Sequence, residues 1–433
     1  MNVKTFPEAG EQYYEQQLAN GLLVRVIPRK GFARKLAFLA TDFGSNDMCF
    51  TVDGERCTVP AGTAHYLEHK MFDLPEGNAM EAFAKYGGSN NAFTNYTMTA
   101  YYVECTDCFA ENLQILLRMV TTPYFTPESV EKERGIIAQE IKMYDDSADS
   151  AIFEELFAAM YHNHPVRVPI AGSVESIGEI TPETLYTCHR AFYHTGNMML
   201  CVMGDVSPEE VVCLAEENTP QSAPVSVTRD DGAAEPQLPV RARTQKHMEV
   251  SMPSFAIGFK CDPAETAEQS AVQELIGSLA AEILAGESSE LYQRLYEQNV
   301  IDADFSAGYE YMRGMCMLEA AGDSNQPELV LEELLREAAR IGREGVDTAQ
   351  FERLKKSMLG RRMRALDSFE STCYRVCAYH FEGVEYLDYP RLFRMVSAED
   401  VARFLRENVV SARATLSLIY PNETGETGQT NEA

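Results

Sequence analysis

Positive charge is scarce in this sequence of 433 residues. Lys and Arg together number 37 against 66 Asp and Glu, which gives a formal net charge of −29. Proteins bind nucleic acids through clustered Lys and Arg that neutralise phosphates, so the composition argues against a nucleic-acid partner. Two explanations of the negative charge stay open: it steers cationic peptides toward the protein, or it keeps the protein soluble.

Long apolar stretches are also absent. The sequence has no run of 18 apolar residues, and its first 21 residues contain no apolar segment of the kind found in signal peptides. We therefore expect no membrane partner and a cytoplasmic location. The 11 cysteines are an odd number scattered along the chain. This distribution is typical of reduced thiols rather than of a disulfide framework.

The order of predicted elements repeats in the two halves of the chain. In the first half, periodicity predicts strands and helices at 22–28, 36–41, 61–72, 91–104, 109–120, 127–145, 182–193 and 198–206. In the second half, it predicts a similar order at 254–260, 267–285, 303–321, 326–343, 348–365, 398–407 and 414–420. The repetition predicts an α+β fold of two similar α/β-roll domains related by internal duplication. Each domain is expected to be a mixed or antiparallel sheet with helices packed on one face.

A change of composition marks the boundary between the halves. Four prolines lie among Ala, Ser, Asp and Glu in residues 214–246, and no apolar period survives there. We therefore predict an N-terminal domain at 1–213, a linker at 214–246 and a C-terminal domain at 247–420. The polar residues 421–433 are expected to form a disordered tail.

The most specific motif is His65-Tyr66-Leu67-Glu68-His69. Residues four apart share one face of a helix, so both imidazoles can point at one metal ion. A catalytic zinc takes three protein ligands and leaves one position for water. Glu68 lies beside the predicted metal without needing to ligate it.

The predicted helix 127–145 offers the third ligand. Glu140 lies among apolar residues in the middle of this helix. A partly buried carboxylate there needs a partner, because an unpaired buried charge is costly. Glu133 lies seven residues earlier on nearly the same face. It is a candidate for orienting a ligating histidine, although a solvated helix acid remains the alternative.

These motifs resemble a known family. H-x-x-E-H followed roughly seventy residues later by E-x-x-x-x-x-x-E is similar to the inverzincin metallopeptidases of the pitrilysin/insulinase family. GTAHYLEHKMF and NAFTNYTMTAYY resemble the family's zinc helix and its substrate strand, and the likeness spans most of residues 20–206. The chain length suits the short two-domain bacterial branch. The residues that flank the motifs are most similar to those of a Firmicutes subgroup associated with aminopentanol modification of elongation factor P.

The resemblance implies a zinc-dependent endopeptidase with one Zn²⁺ per chain. His65, His69 and Glu140 would hold the zinc, and Glu68 would take a proton from the attacking water. The implied substrate is an extended peptide that pairs main chain to main chain with a strand. The implied substrate-binding residues are Asn91, Ala92, Phe93 and Thr94.

Two features of the C-terminal half predict that the chain is incomplete alone. Peptidases of this family bring an Arg and a Tyr, seven residues apart, to the substrate carbonyl, and here Tyr296 and Ala303 occupy those positions. Arg294 and Tyr309 lie out of register. The resemblance therefore predicts a heterodimer with a homologous subunit that carries the Arg/Tyr pair, in preference to a homodimer. In the repeat alignment Arg361 stands where Glu140 stands, so no second zinc is expected.

The sequence leaves two other functions open. The chain could be a non-catalytic scaffold or assembly subunit, as occurs in this family. It could also be an auxiliary hydrolase in a translation-factor modification pathway. Zinc content separates either enzyme from the scaffold, and cleavage of unstructured peptides separates the peptidase from the auxiliary factor.

Overall fold

The computed structural model describes residues 1–221, 225–230 and 232–422. The strands are β1 (Asn2–Phe6), β2 (Glu11–Gln17), β3 (Leu23–Pro28), β4 (Lys35–Thr41), β5 (Cys49–Val52), β6 (Glu55–Thr58), β7 (Asp73–Leu74), β8 (Gly77–Asn78), β9 (Ser89–Thr94), β10 (Thr99–Cys105), β11 (Met198–Gly204), β12 (Val227–Arg229), β13 (Arg243–Met248), β14 (Ser254–Lys260), β15 (Ser306–Met312), β16 (Met315–Asp323) and β17 (Ala414–Pro421). The helices are α1 (Thr63–Lys70), α2 (Ala79–Lys85), α3 (Phe109–Thr121), α4 (Pro127–Asp145), α5 (Ala148–Met160), α6 (Val174–Gly178), α7 (Pro182–Phe192), α8 (Pro208–Asn218), α9 (Ala267–Ala285), α10 (Glu290–Glu297), α11 (Pro327–Glu344), α12 (Thr348–Ala365), α13 (Phe369–Phe381), α14 (Tyr389–Met395) and α15 (Ala398–Asn408).

Each half is built on a mixed sheet with the same internal order. The first sheet runs β1-β2-β3-β11-β4-β10-β9, and the second runs β13-β17-β14-β16-β15. In both, the strand that closes the half (β11 or β17) lies parallel to one neighbour and antiparallel to the other. The five strands β3-β11-β4-β10-β9 therefore correspond to β13-β17-β14-β16-β15. The prediction of two similar α+β halves is confirmed.

One helix of each half packs on the sheet of the other half, and we call α5 and α13 the exchanged helices. Helices of the first half cover one face of its sheet, while α13 of the second half packs on β11 and β4 from the other face. In return, α5 of the first half packs on β13, β14 and β17. The prediction of helices on one face is thus incomplete. The physical reason is visible in β11, where all seven residues are buried and both faces of the strand must be covered.

The predicted strand at 91–104 is two strands joined by a tight turn. The side-chain oxygen of Asn95 accepts hydrogen bonds from the backbone N–H groups of Thr97 (2.8 Å) and Met98 (2.7 Å). Such local bonds from an asparagine side chain stabilise turns at the expense of a continuous strand. The turn makes β9 the edge strand of the first sheet.

Strands and helices cross or occupy several of the predicted domain limits, and β13 (Arg243–Met248) begins inside the predicted linker. Helix α8 runs through residue 213 to Asn218, because Val211, Val212 and Ala215 keep one of its faces buried. Within the predicted linker, β12 pairs antiparallel with β5 of the first half. The predicted tail begins one residue early, since Pro421 still pairs with Met248. Residues 423–433 of the predicted tail lie outside the described residues.

The cysteines form no cross-links in this fold. All eleven cysteines carry free thiols. Apolar packing and hydrogen bonds therefore stabilise the fold without disulfide cross-links.

Over the described ranges, no helix has both the length and the apolar composition needed to cross a membrane.

Candidate metal centre

Helix α1 presents the two histidines of the motif. It begins after Gly62, whose backbone has a left-handed φ of 87°. A Cβ atom at this glycine would come within 2.4 Å of the carbonyl oxygen of Ala171, so a side chain does not fit. One helical turn separates His65 from His69, and their ring centroids are 4.7 Å apart.

Helix α4 presents the two predicted acids. Thr126 caps its N-terminus by accepting a hydrogen bond from the backbone of Ser129, and Pro127 occupies the first helical turn. The helix buries one face, formed by Val130, Ile137 and Ile141. The hydroxyl of Tyr66 on α1 donates to the carbonyl oxygen of Val130 and ties the two helices together. Glu133 and Glu140 therefore face α1.

The structure brings His65, His69 and Glu140 together. The Nε2 atom of His65 lies 3.6 Å from Oε1 of Glu140, and Nε2 of His69 lies 3.5 Å from Oε2. Tetrahedral zinc with ligand distances of about 2.0–2.2 Å separates its ligand atoms by about 3.3–3.6 Å. Two imidazoles and one carboxylate are also a donor set that zinc prefers. The residues present therefore fit zinc, and among the described residues they form the only metal-ligating cluster found.

Glu133 holds His69 from the side away from Glu140. Its Oε1 atom lies 3.0 Å from Nδ1 of His69, which leaves Nε2 of that imidazole directed at the cluster. The bond to His69 lowers the pKa of Glu133 against the effect of burial. Burial lowers the pKa of His69, but the bond to Glu133 and the charges of Glu68 and Glu140 outweigh it and raise the pKa. The neighbouring imidazole of His65 is the main cause that lowers the pKa of Glu140 to about 2.

Glu68 lies beside the cluster and is not part of it. Its side chain is buried, and one carboxylate oxygen (Oε2) accepts a hydrogen bond of 2.8 Å from the hydroxyl of Thr94. Burial raises the pKa of Glu68 although the nearby imidazoles and Thr94 oppose this effect. A carboxylate with a raised pKa is suited to accept and return a proton. Thr94, predicted only as a substrate-binding residue, thus also orients Glu68.

A cleft of about 530 Å³ opens over these residues. Three of the four predicted substrate-binding residues, Ala92, Phe93 and Thr94, line it. The fourth, Asn91, does not line the cleft; it lies exposed on β9, and its side chain accepts a hydrogen bond from the backbone of Ala92. The described residues lining the cleft include no Lys or Arg.

Sequence reasoning missed several residues of this cleft. Tyr96, Asp145 and Glu154 line it, and so does Tyr144, whose hydroxyl donates to Glu140 over 2.8 Å. Partial burial and this bond raise the pKa of Tyr144 to about 12. Tyr144 lies four residues after Glu140 on α4. The same helical spacing that identified the two histidines could therefore have found it.

The sequence and its relatives place the chain in a family. The pattern of Insulinase (Peptidase family M16) matches residues 58–174, and that of the Peptidase M16 inactive domain matches residues 179–358. The zinc protease YmfH of Bacillus subtilis, described as uncharacterized, is 35% identical over 422 residues, covering 96% of this chain and 98% of that protein. The chain belongs to peptidase family M16. This confirms the resemblance to the insulinase family.

Solved structures agree with this assignment. An M16-like peptidase from Alicyclobacillus acidocaldarius superposes with a TM-score of 0.91 at 33% identity, covering 95% of this M16 chain and 99% of that one. A protease from Helicobacter pylori gives a TM-score of 0.80 at 18% identity, covering 95% and 100%. The latter likeness shows the fold alone. A second B. subtilis relative, YmxG, is also named a zinc protease, at 26% identity over 72% of this chain and 76% of that protein.

Proposed function

We propose that this M16 chain is the zinc-bearing subunit of an endopeptidase that cleaves unstructured peptides. One observation carries the proposal: a buried carboxylate, Glu68, lies between a fitting zinc-donor set and an edge strand inside one cleft. The relatives named zinc proteases support the choice of metal. The proposed ligands are His65, His69 and Glu140, with one zinc per chain.

The chemistry divides between the ion and the side chains around it. A zinc ion in this cluster would supply Lewis acidity, which polarises a carbonyl group and acidifies water. Glu68 would accept the proton of the attacking water and pass it to the leaving amine. Thr94 holds Oε2 of Glu68, and no described residue donates a hydrogen bond to Oε1. Oε1 is therefore available for the proton.

Strand β9 is the proposed substrate platform. It is the edge of the seven-stranded sheet, and its last three residues line the cleft. An extended peptide can add to such an edge through main-chain hydrogen bonds, which recognise backbone rather than sequence. The peptide would then pass Glu68, since Thr94 at the end of β9 touches that carboxylate. A folded substrate cannot present its backbone in this way.

Among the described residues that line the cleft there is no Lys or Arg that would stabilise negative charge on the substrate carbonyl. Tyr296 is 49% exposed and stacks on Tyr292. Arg294 is bound to Glu333 over 2.8 Å, and Tyr309 is buried against α9 at Gly277. Neither of these out-of-register residues lines the cleft. Loss of one oxyanion donor typically lowers turnover about 10²–10³-fold. We therefore include in the proposal a homologous partner that supplies an Arg and a Tyr.

The test is peptide cleavage by the zinc-loaded chain, read by mass spectrometry on an unstructured peptide library. The lone chain should show little turnover, and an added homologue that carries Arg and Tyr but lacks H-x-x-E-H should restore it. A Glu68→Gln chain with the same partner should stay inactive. Strong cleavage by the lone chain would contradict the need for a partner. No cleavage with any such homologue would contradict the peptidase assignment.

Two finer assignments from the sequence remain proposals. No residue of the candidate site supports the likeness to the subgroup associated with elongation factor P modification. A cytoplasmic location likewise rests on the sequence. If the zinc-loaded chain with its partner cleaved no peptide, an auxiliary role in translation-factor modification would become the alternative to pursue.

A further inference from the structure

Tyr144 occupies a position that the proposed mechanism does not use. It lies one helical turn beyond Glu140 on α4, in the wall of the cleft. Its side chain is 38% exposed, yet its hydroxyl is directed inward and donates a hydrogen bond of 2.8 Å to Oε1 of Glu140. A partly exposed tyrosine in the wall of the cleft is therefore bound to one of the three proposed metal ligands.

The bond acts on a carboxylate whose orientation decides which oxygen faces which imidazole. The two oxygens of Glu140 face different imidazoles: Oε1 lies 3.6 Å from His65 and Oε2 lies 3.5 Å from His69. The last torsion of a glutamate side chain is broad, so the carboxylate plane needs a second contact to stay in this orientation. The hydroxyl of Tyr144 supplies that contact. A phenol with a pKa near or above its ordinary value of about 10 keeps its proton at neutral pH and can donate.

The same arrangement is found at a second ligand. Glu133 binds Nδ1 of His69 over 3.0 Å and thereby fixes the imidazole that faces Glu140. Glu133, Glu140 and Tyr144 are spaced by seven and four residues, so they lie along one face of α4. This face of the helix thus carries one ligand and two groups that orient ligands. His65 differs, because its Nδ1 atom is buried and has no hydrogen-bond partner among the described residues.

We propose that Tyr144 is a positioning residue for the metal centre, which orients Glu140 through the hydrogen bond from its hydroxyl to Oε1. The inference rests on the proposed binding of zinc by His65, His69 and Glu140. Partners of metal ligands typically contribute about 10–100-fold in metal affinity. Because Tyr144 is partly exposed to solvent, which can replace its hydroxyl, we expect an effect near the lower end of that range.

The competing role for Tyr144 is direct contact with substrate. Its exposure in the wall of the cleft fits that role as well. The two roles separate cleanly, because a substrate contact changes KM and leaves zinc affinity unaltered. Zinc affinity, measured without substrate, therefore decides between them.

The experiment replaces Tyr144 with Phe, which removes the hydroxyl and keeps the ring. Zinc affinity is measured by competition with a chromophoric chelator, and the apo proteins are compared by thermal unfolding to confirm that they fold alike. Tyr102→Phe is the matched control. The hydroxyl of Tyr102 donates to Glu370 over 2.9 Å, the same kind of bond, and its side chain points to the face of the sheet opposite α1.

We expect Y144F to bind zinc about 10-fold more weakly than the wild type, with Y102F unchanged. The absorption spectrum of the cobalt(II)-substituted protein should also change in Y144F alone, since the spectrum reports the geometry of the ligands. Equal zinc affinity in wild type and Y144F would overturn this inference and leave the proposed function standing. Failure of the wild type to bind zinc would overturn both.

Discussion

The candidate metal centre of the first half and the equivalent place in the second half show what the two similar halves share and where they differ. In the first half, α1 faces α4, and two histidines meet Glu140. In the second half, α9 faces α12, and Glu282 forms an ion pair of 3.1 Å with Arg361. The same strand order supports both helix pairs. The fold thus fixes where two side chains meet, and the residue types decide whether that meeting place binds a cation.

The largest expected difference between the two places is in zinc content. Glu140→Ala removes a proposed ligand and should reduce zinc from about one per chain to near zero, with loss of peptidase activity. Arg361→Ala changes the equivalent position of the second half and should leave zinc content unaltered, because a guanidinium does not ligate cations. Metal analysis of dialysed protein measures both. Equal zinc in wild type and Glu140→Ala would show that the third ligand is another residue.

The next effect separates proton transfer from metal binding inside the first half. Glu68→Gln fills the same space but cannot accept a proton at neutral pH. It should therefore keep zinc while turnover of the assembled enzyme falls about 10²–10⁴-fold. Peptide cleavage and zinc content are measured on the same preparation. Near-native turnover with zinc bound would remove Glu68 from the role of base.

The helical spacing of the motif explains why the residues of the candidate metal centre could be found from the sequence. His65, His69 and Glu140 belong to two helices whose periodicity is evident in the sequence, and α4 and α12 begin and end at the predicted residues. Within a helix, sequence spacing fixes which residues share a face. Once two such helices pack together, a partly buried acid such as Glu140 has few possible partners on the facing helix, and the two histidines are among them.

Contacts between distant parts of the chain could not be predicted in the same way. An apolar helix face in the sequence indicates that the helix packs against something, but it does not indicate which element that is. Helix α5, with Ile152 and Leu156 buried, packs on the sheet of the other half. The turn at Asn95 was missed for a different reason, because the Thr- and Tyr-rich residues around it have high strand propensity on both sides.

A smaller effect tests the support given to the ligands. Glu133→Ala removes the hydrogen bond to His69 and should weaken zinc binding about 10–100-fold without abolishing it. The equivalent position of the second half is Leu354, which is buried and supports no polar group. Chelator competition on Glu133→Ala, with Glu140→Ala as the reference for complete loss, provides the measurement. An affinity equal to that of the wild type would show that Glu133 is only a solvated acid.

The smallest effect concerns the ion pair between Arg361 and Glu282, which lies in the second half where the first half has the candidate metal centre. Arg361 and Glu282 are 45% and 31% exposed, so solvent screens their attraction. Arg361→Ala should lower the free energy of unfolding by less than about 1 kcal/mol. Denaturant titration of the apo protein measures this change. A loss of several kcal/mol would mean that the pair makes a major contribution to holding its two helices together.

The exchanged helices α5 and α13 also bear on how the chain folds. Each helix completes the hydrophobic core beneath a sheet of the other half, with Cys373 and Cys377 of α13 buried in the same cluster as Cys201 of β11. Separating the halves would expose an apolar face of each sheet to water, at a cost proportional to the area uncovered. The two halves therefore repeat the same order of strands and helices, but each depends on the other for its stability. The whole chain should unfold in a single cooperative transition, and neither half should fold when expressed alone.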